Sequence, residues 1–219
     1  METAPSSRAL RIGSTLWLAQ PVYLLVELLA TGLSRAPYSL LHNTISDLGA
    51  TTCTTIPYPA EDVPVCSPLH TVVNASFVVF GLAMAVGAVL LRRVLPRGRT
   101  TTAAVVAWVI AGASSIGSGL TPLDQMLTLH ALVSAPGIVL SGAAMVLTGA
   151  AVIRSRRSGA WWLIVMGALS AAAGLLMLVR LEVQWGGLIE RLALWPSFVA
   201  CAFIALDVVR RPAVVPVNL

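Results

Sequence analysis

Arg92-Arg93-Val94-Leu95-Pro96-Arg97-Gly98-Arg99 is a short basic run bounded on both sides by long apolar stretches. A helix needs about 20 predominantly apolar residues to cross about 30 Å of hydrocarbon. The run therefore reads as a turn between two membrane spans. Outward from it, six stretches meet the length requirement, near residues 13–33, 69–91, 101–121, 131–153, 159–179 and 188–209. A second basic run, Arg154-Ser155-Arg156-Arg157, separates the fourth from the fifth. Arg8 and Arg11 precede the first, and Arg210 and Arg211 follow the last. With both termini cytoplasmic, eleven of the fourteen arginines fall inside, and only Arg35, Arg180 and Arg191 fall outside. Cytoplasmic loops carry such an excess of cationic residues. The expectation is an all-α polytopic membrane protein, residues 1–219 forming a single domain with six transmembrane helices in one bundle, N-in and C-in.

Composition agrees. The chain is 57% hydrophobic and 11% charged, with a mean hydropathy of +0.86 and no lysine. A soluble domain has roughly 45–50% apolar and about 25% charged residues. The net charge of +5 is explained by topology, and the arginines have no interleaved aromatic platform, which argues against nucleic acid as a partner. The first apolar run is longer than the 7–15 residues usual for a signal peptide. It also contains Gln20, Pro21 and Glu27, so it reads as a retained helix.

Small residues recur at helical spacing: Ala111, Ser115 and Gly119; Gly137 and Ser141; Gly167 and Ala171. They let backbones approach, which matters where lipid gives helices no hydrophobic reason to associate. Trp161, Trp162, Trp185 and Trp195 lie near segment ends, as interfacial tryptophans do. Pro21, Pro136 and Pro196 fall inside helices, where each frees a carbonyl and bends the helix. No internal repeat supports a transporter of duplicated halves.

The loop at 34–68 is the only long one and is assigned outside. Its Cys53 and Cys66 read as a disulfide, worth roughly 3 kcal/mol for a loop of this size. A rival reading joins both to His70 around a metal. Cys201 reads as a small buried apolar residue.

The same side collects the polar residues. His42-Asn43-Thr44-Ile45-Ser46-Asp47-Leu48-Gly49 offers an imidazole, an amide, a hydroxyl and a carboxylate. His70 and His130 open the second and fourth spans, Asp124 follows Pro122, and Glu190-Arg191 opens the sixth. The second, fourth and sixth helices point their N-termini outward, where free N–H groups favour anions. With Arg180 and Arg191 they suit an anionic head group. Alternatively His42, His70 and His130, with Asp47 or Asp124, suit zinc with a place left for water. Each residue has a plainer reading too: interfacial histidines, turn and N-cap roles for Asn43, Ser46 and Asp47, a loop cap for Asp124, and a topological pair in Glu190-Arg191. Glu27 within a span is a functional candidate by default, against a structural hydrogen bond to a neighbouring helix.

The Asn43-x-Ile45-Ser46-Asp47-Leu48-Gly49 stretch resembles a hallmark of DUF998, a bacterial family of uncharacterised integral membrane proteins. Asn74-x-x-Phe77-x-x-x-Gly81, Pro122-x-Asp124 with His130 downstream, and Gly187-x-x-Glu190-Arg191 resemble it too, in the same order along essentially the whole chain. The resemblance implies the fold and topology above and carries no settled activity. It extends distantly to the Frag/DRAM/Sfk proteins, some tied to lipid remodelling or distribution. It extends more loosely to ceramidase and adiponectin-receptor type hydrolases, whose close histidine pair on a late helix is missing here, since no histidine follows His130.

The reading that follows is a bacterial plasma-membrane protein with an extracytoplasmic polar pocket for a lipid or other amphiphile. Asn43, Ser46, Asp47, His70, Asp124, His130, Glu190 and Arg191 would bind the ligand. A second reading is a zinc-dependent hydrolase of lipid-like substrates, with His42, His70 and His130 on the metal and an aspartate, Asp47 or Asp124, as base. A third is a proton-coupled carrier that titrates Glu27 and Asp47.

Overall fold

The computed structural model describes residues 7–59, 61–153, 159–179 and 185–210. The basic run at 154–157, Arg180 and Arg211 lie outside the described residues. Six segments are long and apolar enough to cross a membrane: Arg8–Gly32, His70–Val94, Arg99–Leu120, Leu127–Ile153, Ala160–Val179 and Gly186–Arg210.

The first segment is two helices, α1 (Ser7–Leu18) and α2 (Val22–Gly32), joined through Pro21. Proline has no N–H with which to continue the ladder. Gln20 N bonds Trp17 O and Val22 N bonds Ala19 O instead, the tighter step of a 3₁₀ turn. The other five spans hold α3 (His70–Leu91), α4 (Arg99–Leu120), α5 (Leu127–Ile153), α6 (Ala160–Val179) and α7 (Gly186–Arg210). Between α2 and α3 the chain makes a 3₁₀ turn at Ser46–Gly49 and an antiparallel hairpin of β1 (Thr54–Pro57) with β2 (Asp62–Val65). Cys53 and Cys66 close the base of this hairpin as a disulfide, which removes them as partners for His70 in a metal site.

The first span packs on α3 and α7, and each of α3, α4, α5 and α6 packs on the helix after it. α7 also meets α5, leaving α6 on the outside of that pair. Glycines set the closest approaches. A Cβ on Gly81 of α3 would lie 2.5 Å from Gly112 O of α4, and one on Gly112 would lie 2.4 Å from Gly81 O. Gly142 of α5 and Gly167 of α6 face each other in the same way. Such contacts supply the van der Waals gain that holds helices together in lipid.

Both internal prolines are stitched by serines. Pro136 has no N–H to give the ladder of α5, and the next residue, Gly137, donates its N–H to Ser114 Oγ of α4 at 2.8 Å. Ser114 Oγ in turn donates to Val133 O, so one hydroxyl bridges the Gly137 N–H and the Val133 carbonyl beside the proline. At Pro196 in α7, the Ala193 carbonyl accepts from Ser141 of α5 and Ser170 of α6. In hydrocarbon no water can satisfy freed backbone groups, so neighbouring side chains must.

The tryptophans divide. Trp161 and Trp185 are well exposed near segment ends. Trp195 departs from the interfacial expectation, because it lies well inside α7 and donates from Nε1 to Glu27 at 2.8 Å. A carboxylate needing a donor has drawn it inward.

Candidate functional site

The first builder of the site is the 3₁₀ turn. Thr44 Oγ1 accepts from Asp47 N at 3.3 Å, and the Asp47 carboxylate accepts from Thr44 N at 2.8 Å. This is a capping box, in which each residue satisfies the other's orphan N–H. Tyr58, one residue beyond β1, also donates to Asp47 at 2.6 Å. Burial pushes the Asp47 carboxyl above its usual range, against the pull of the Tyr58, Thr44 and Asn43 hydrogen bonds. Burial and the Asp47 charge push the Tyr58 phenol well up in turn. Asp47 thus shapes the turn.

The turn is pinned to three helices. Asn74 of α3 donates to Gly49 O at 2.8 Å, and Ile45 N donates to the Glu190 carboxylate of α7. His130 of α5 meets Ser46: Nε2 lies 2.9 Å from Ser46 Oγ, while Nδ1 lies 2.7 Å from Thr121 O. Glu190 Oε1 is 3.5 Å from the same Ser46 hydroxyl.

Arg191 faces the other way. Its Nε donates to Glu27 at 2.8 Å, its Nη1 to the carbonyls of Leu40, Asn43 and Gly187, and its Nη2 to Tyr38 Oη. Gly187 permits this, since a Cβ there would lie 2.2 Å from Asn43 O. The arginine holds the 38–43 segment on α7, and it is not among the residues that line the cavity described below. Glu27 accepts from Arg191 and Trp195 and is likewise not among those lining residues.

The histidines do not converge. His42 lies exposed on the loop, and His70 Nδ1 meets Ser67 O at 3.0 Å within its own helix cap. His130 has a partner on each ring nitrogen. Among the described residues no group of three or more His, Cys, Asp or Glu side chains is arranged to hold a metal ion. The zinc arrangement of His42, His70 and His130 is therefore not formed. Asp124 is equally local: it accepts from the N–H and hydroxyl of both Thr51 and Thr52, tying the α4–α5 loop to the hairpin.

Sequence reasoning missed the feature that gathers these parts. A cavity lies among α2, α3, α4, α5 and α7, in which the centre of a water molecule can range over about 60 Å³. Seven serines and Glu190 line it, together with Tyr23, Phe77, Met84 and Phe198. Of residues 42–49, only Ser46 reaches it. At about 1.5 Å per residue, Met84 and Ser141 lie about 20 Å along their helices from the loop end, so the cavity runs from Ser46 toward mid-bundle. Tyr23 is 1% exposed and its hydroxyl has no hydrogen-bond partner among the described residues. The available signal was the serines inside apolar segments, of which spacing had marked Ser115 and Ser141 as packing residues.

A family model described as a protein of unknown function, DUF998, matches residues 17–207. None of the curated proteins and none of the solved structures matches the chain.

Proposed function

The chain belongs to the DUF998 family and is a multi-pass integral membrane protein, and from that premise we propose that its cavity binds a lipid or other amphiphile. The head group sits at Ser46 and Glu190, and the chain lies against Phe77, Met84, Leu194 and Phe198. The loop end faces outward from the bacterial plasma membrane and both termini are cytoplasmic. The arginines outside the long loop support this orientation through the positive-inside bias.

The observation that carries the reading is the unpartnered Tyr23 hydroxyl on the wall of a serine-lined cavity. A buried polar group left unpaired costs about 1–3 kcal/mol, and a ligand's polar atom would relieve that cost. The volume is several times the 10–15 Å³ of centre space that one water requires. Among the described residues no cationic side chain lines the cavity, and a carboxylate does. The preferred head group therefore donates hydrogen bonds, as a hydroxyl or ammonium does, in place of the anionic group expected from the sequence.

The test is a thermal-shift titration of delipidated protein with amphiphiles of equal chain length carrying hydroxyl, ammonium or sulfate heads. Hydroxyl or ammonium heads raise the melting temperature and sulfate does not. Tyr23→Phe loses no bond in the empty protein, so it keeps the unliganded melting temperature while weakening the shift. No shift with any head group would refute the reading.

A further inference from the structure

We propose that Ser46 and His130 form a nucleophile–base dyad that transfers the acyl group of an ester-bearing amphiphile held in the cavity. The proposal rests on the amphiphile reading above and adds chemistry to it.

The direction of the hydrogen bonds is the first support. Thr121 O can only accept, so the 2.7 Å contact to His130 Nδ1 places a proton on that nitrogen. A neutral imidazole carries one N–H, which leaves Nε2 as an acceptor. Ser46 Oγ, 2.9 Å away, then donates into Nε2. Nucleophile, base and a third group orienting the base thus stand in line, the arrangement by which a weak hydroxyl nucleophile is activated.

The second support is contrast. The other six serines on the cavity wall each donate to a backbone carbonyl of their own or a neighbouring helix. That is the ordinary use of serine in a membrane helix, and Ser46 alone faces an imidazole. The turn that presents it is fixed at Ile45 by Glu190, at Gly49 by Asn74 and internally by the Thr44–Asp47 box. A reacting hydroxyl needs this kind of support to keep its position. Beyond Ser46 the wall turns apolar at Phe77, Met84 and Phe198, which suits an acyl chain whose carbonyl sits at the serine.

The chemistry balances with water as co-reactant. Ser46 Oγ attacks the ester carbonyl carbon while its proton passes to His130 Nε2. The bond from that carbon to the alcohol oxygen breaks, and Nε2 returns the proton to the departing oxygen, leaving an acyl ester on Ser46. Water then attacks the same carbon, gives a proton to Nε2, and Ser46 Oγ leaves and recovers it. The sum is ester plus water to carboxylic acid plus alcohol.

The test uses the full chain in lipid nanodiscs with a long-chain alkyl fluorophosphonate, a probe that loses fluoride to an activated serine. Bound amphiphile is followed in parallel by native mass spectrometry. The wild type acquires one adduct, mapped to Ser46, and Ser46→Ala acquires none. His130→Gln keeps a donor for Thr121 O but cannot take the serine proton, and its labelling slows at least 100-fold. A wild type that binds amphiphile but leaves Ser46 unlabelled overturns the dyad and spares the binding reading. So does His130→Gln labelled at the wild-type rate. A wild type that holds no amphiphile overturns both.

Discussion

Arg191 on α7 donates from Nε to Glu27 on α2 at 2.8 Å, with both side chains almost wholly enclosed. The same guanidinium holds the carbonyls of Leu40, Asn43 and Gly187, so one residue joins the first span, the last span and the loop that carries Ser46. Removing one member of a buried pair leaves an uncompensated charge, which costs about 3–5 kcal/mol. Arg191→Ala is expected to lose about that much in denaturant unfolding from mixed micelles. The double variant Glu27→Leu/Arg191→Met is expected to lose less, because neither charge remains.

Asp124 gives a pH signature. Partial burial pushes its carboxyl up, but hydrogen bonds from Thr51, Thr52 and Gln125 outweigh this and hold it below its usual value. A carboxyl depressed in the folded state contributes stability above its unfolded pKa of about 3.9 and loses it as pH falls through the folded value. Asp124→Asn is therefore expected to unfold more easily than the wild type at pH 7. The gap should close as both are titrated below about pH 4, and unfolding curves at the two pH values check it.

Ser114 bridges α5 beside Pro136. Ser114→Ala leaves Val133 O and Gly137 N without their bridging hydroxyl, in a region where water is scarce. A loss of about 1–3 kcal/mol is expected, the cost of stranding buried polar groups. Hydrogen exchange should show the effect as faster opening at residues 133–137 with other helices unchanged.

The hairpin depends on its disulfide. Cys53 and Cys66 are separated by 13 residues, and losing a closure of this size costs roughly 3 kcal/mol. The double variant Cys53→Ser/Cys66→Ser should expose β1 and β2 to limited proteolysis from the loop side, while the six spans stay intact.

The architecture was legible because its cause is one-dimensional. Runs of about 20 apolar residues between arginine-rich turns leave few alternatives. The break at Pro21 and the close approach at Gly119, which faces Asn74 O, followed from residue type alone. The site was legible only as a set of names. Ser46, His130 and Glu190 do meet, while the Asn43 side chain turns to Ser39 and Asp47. Spacing could not say that Arg191 turns toward Glu27, or that His70 stays with Ser67. Those outcomes depend on how α2, α5 and α7 are rotated in the bundle. Trp195 was read as an interfacial anchor, and its hydrogen bond to Glu27, like those of Tyr38 to Arg191 and Tyr58 to Asp47, has no sequence signature.

Whether the serine-lined cavity holds an amphiphile is decided by native mass spectrometry of the protein released from mild detergent. Ser197 lines the cavity and its hydroxyl serves only Leu194 O of its own helix, so Ser197→Leu fills the space at little other cost. The wild type is expected to carry a discrete amphiphile adduct that survives collisional removal of detergent, and Ser197→Leu is expected to lack it. An adduct equally abundant in both proteins, or absent from both, would contradict the account.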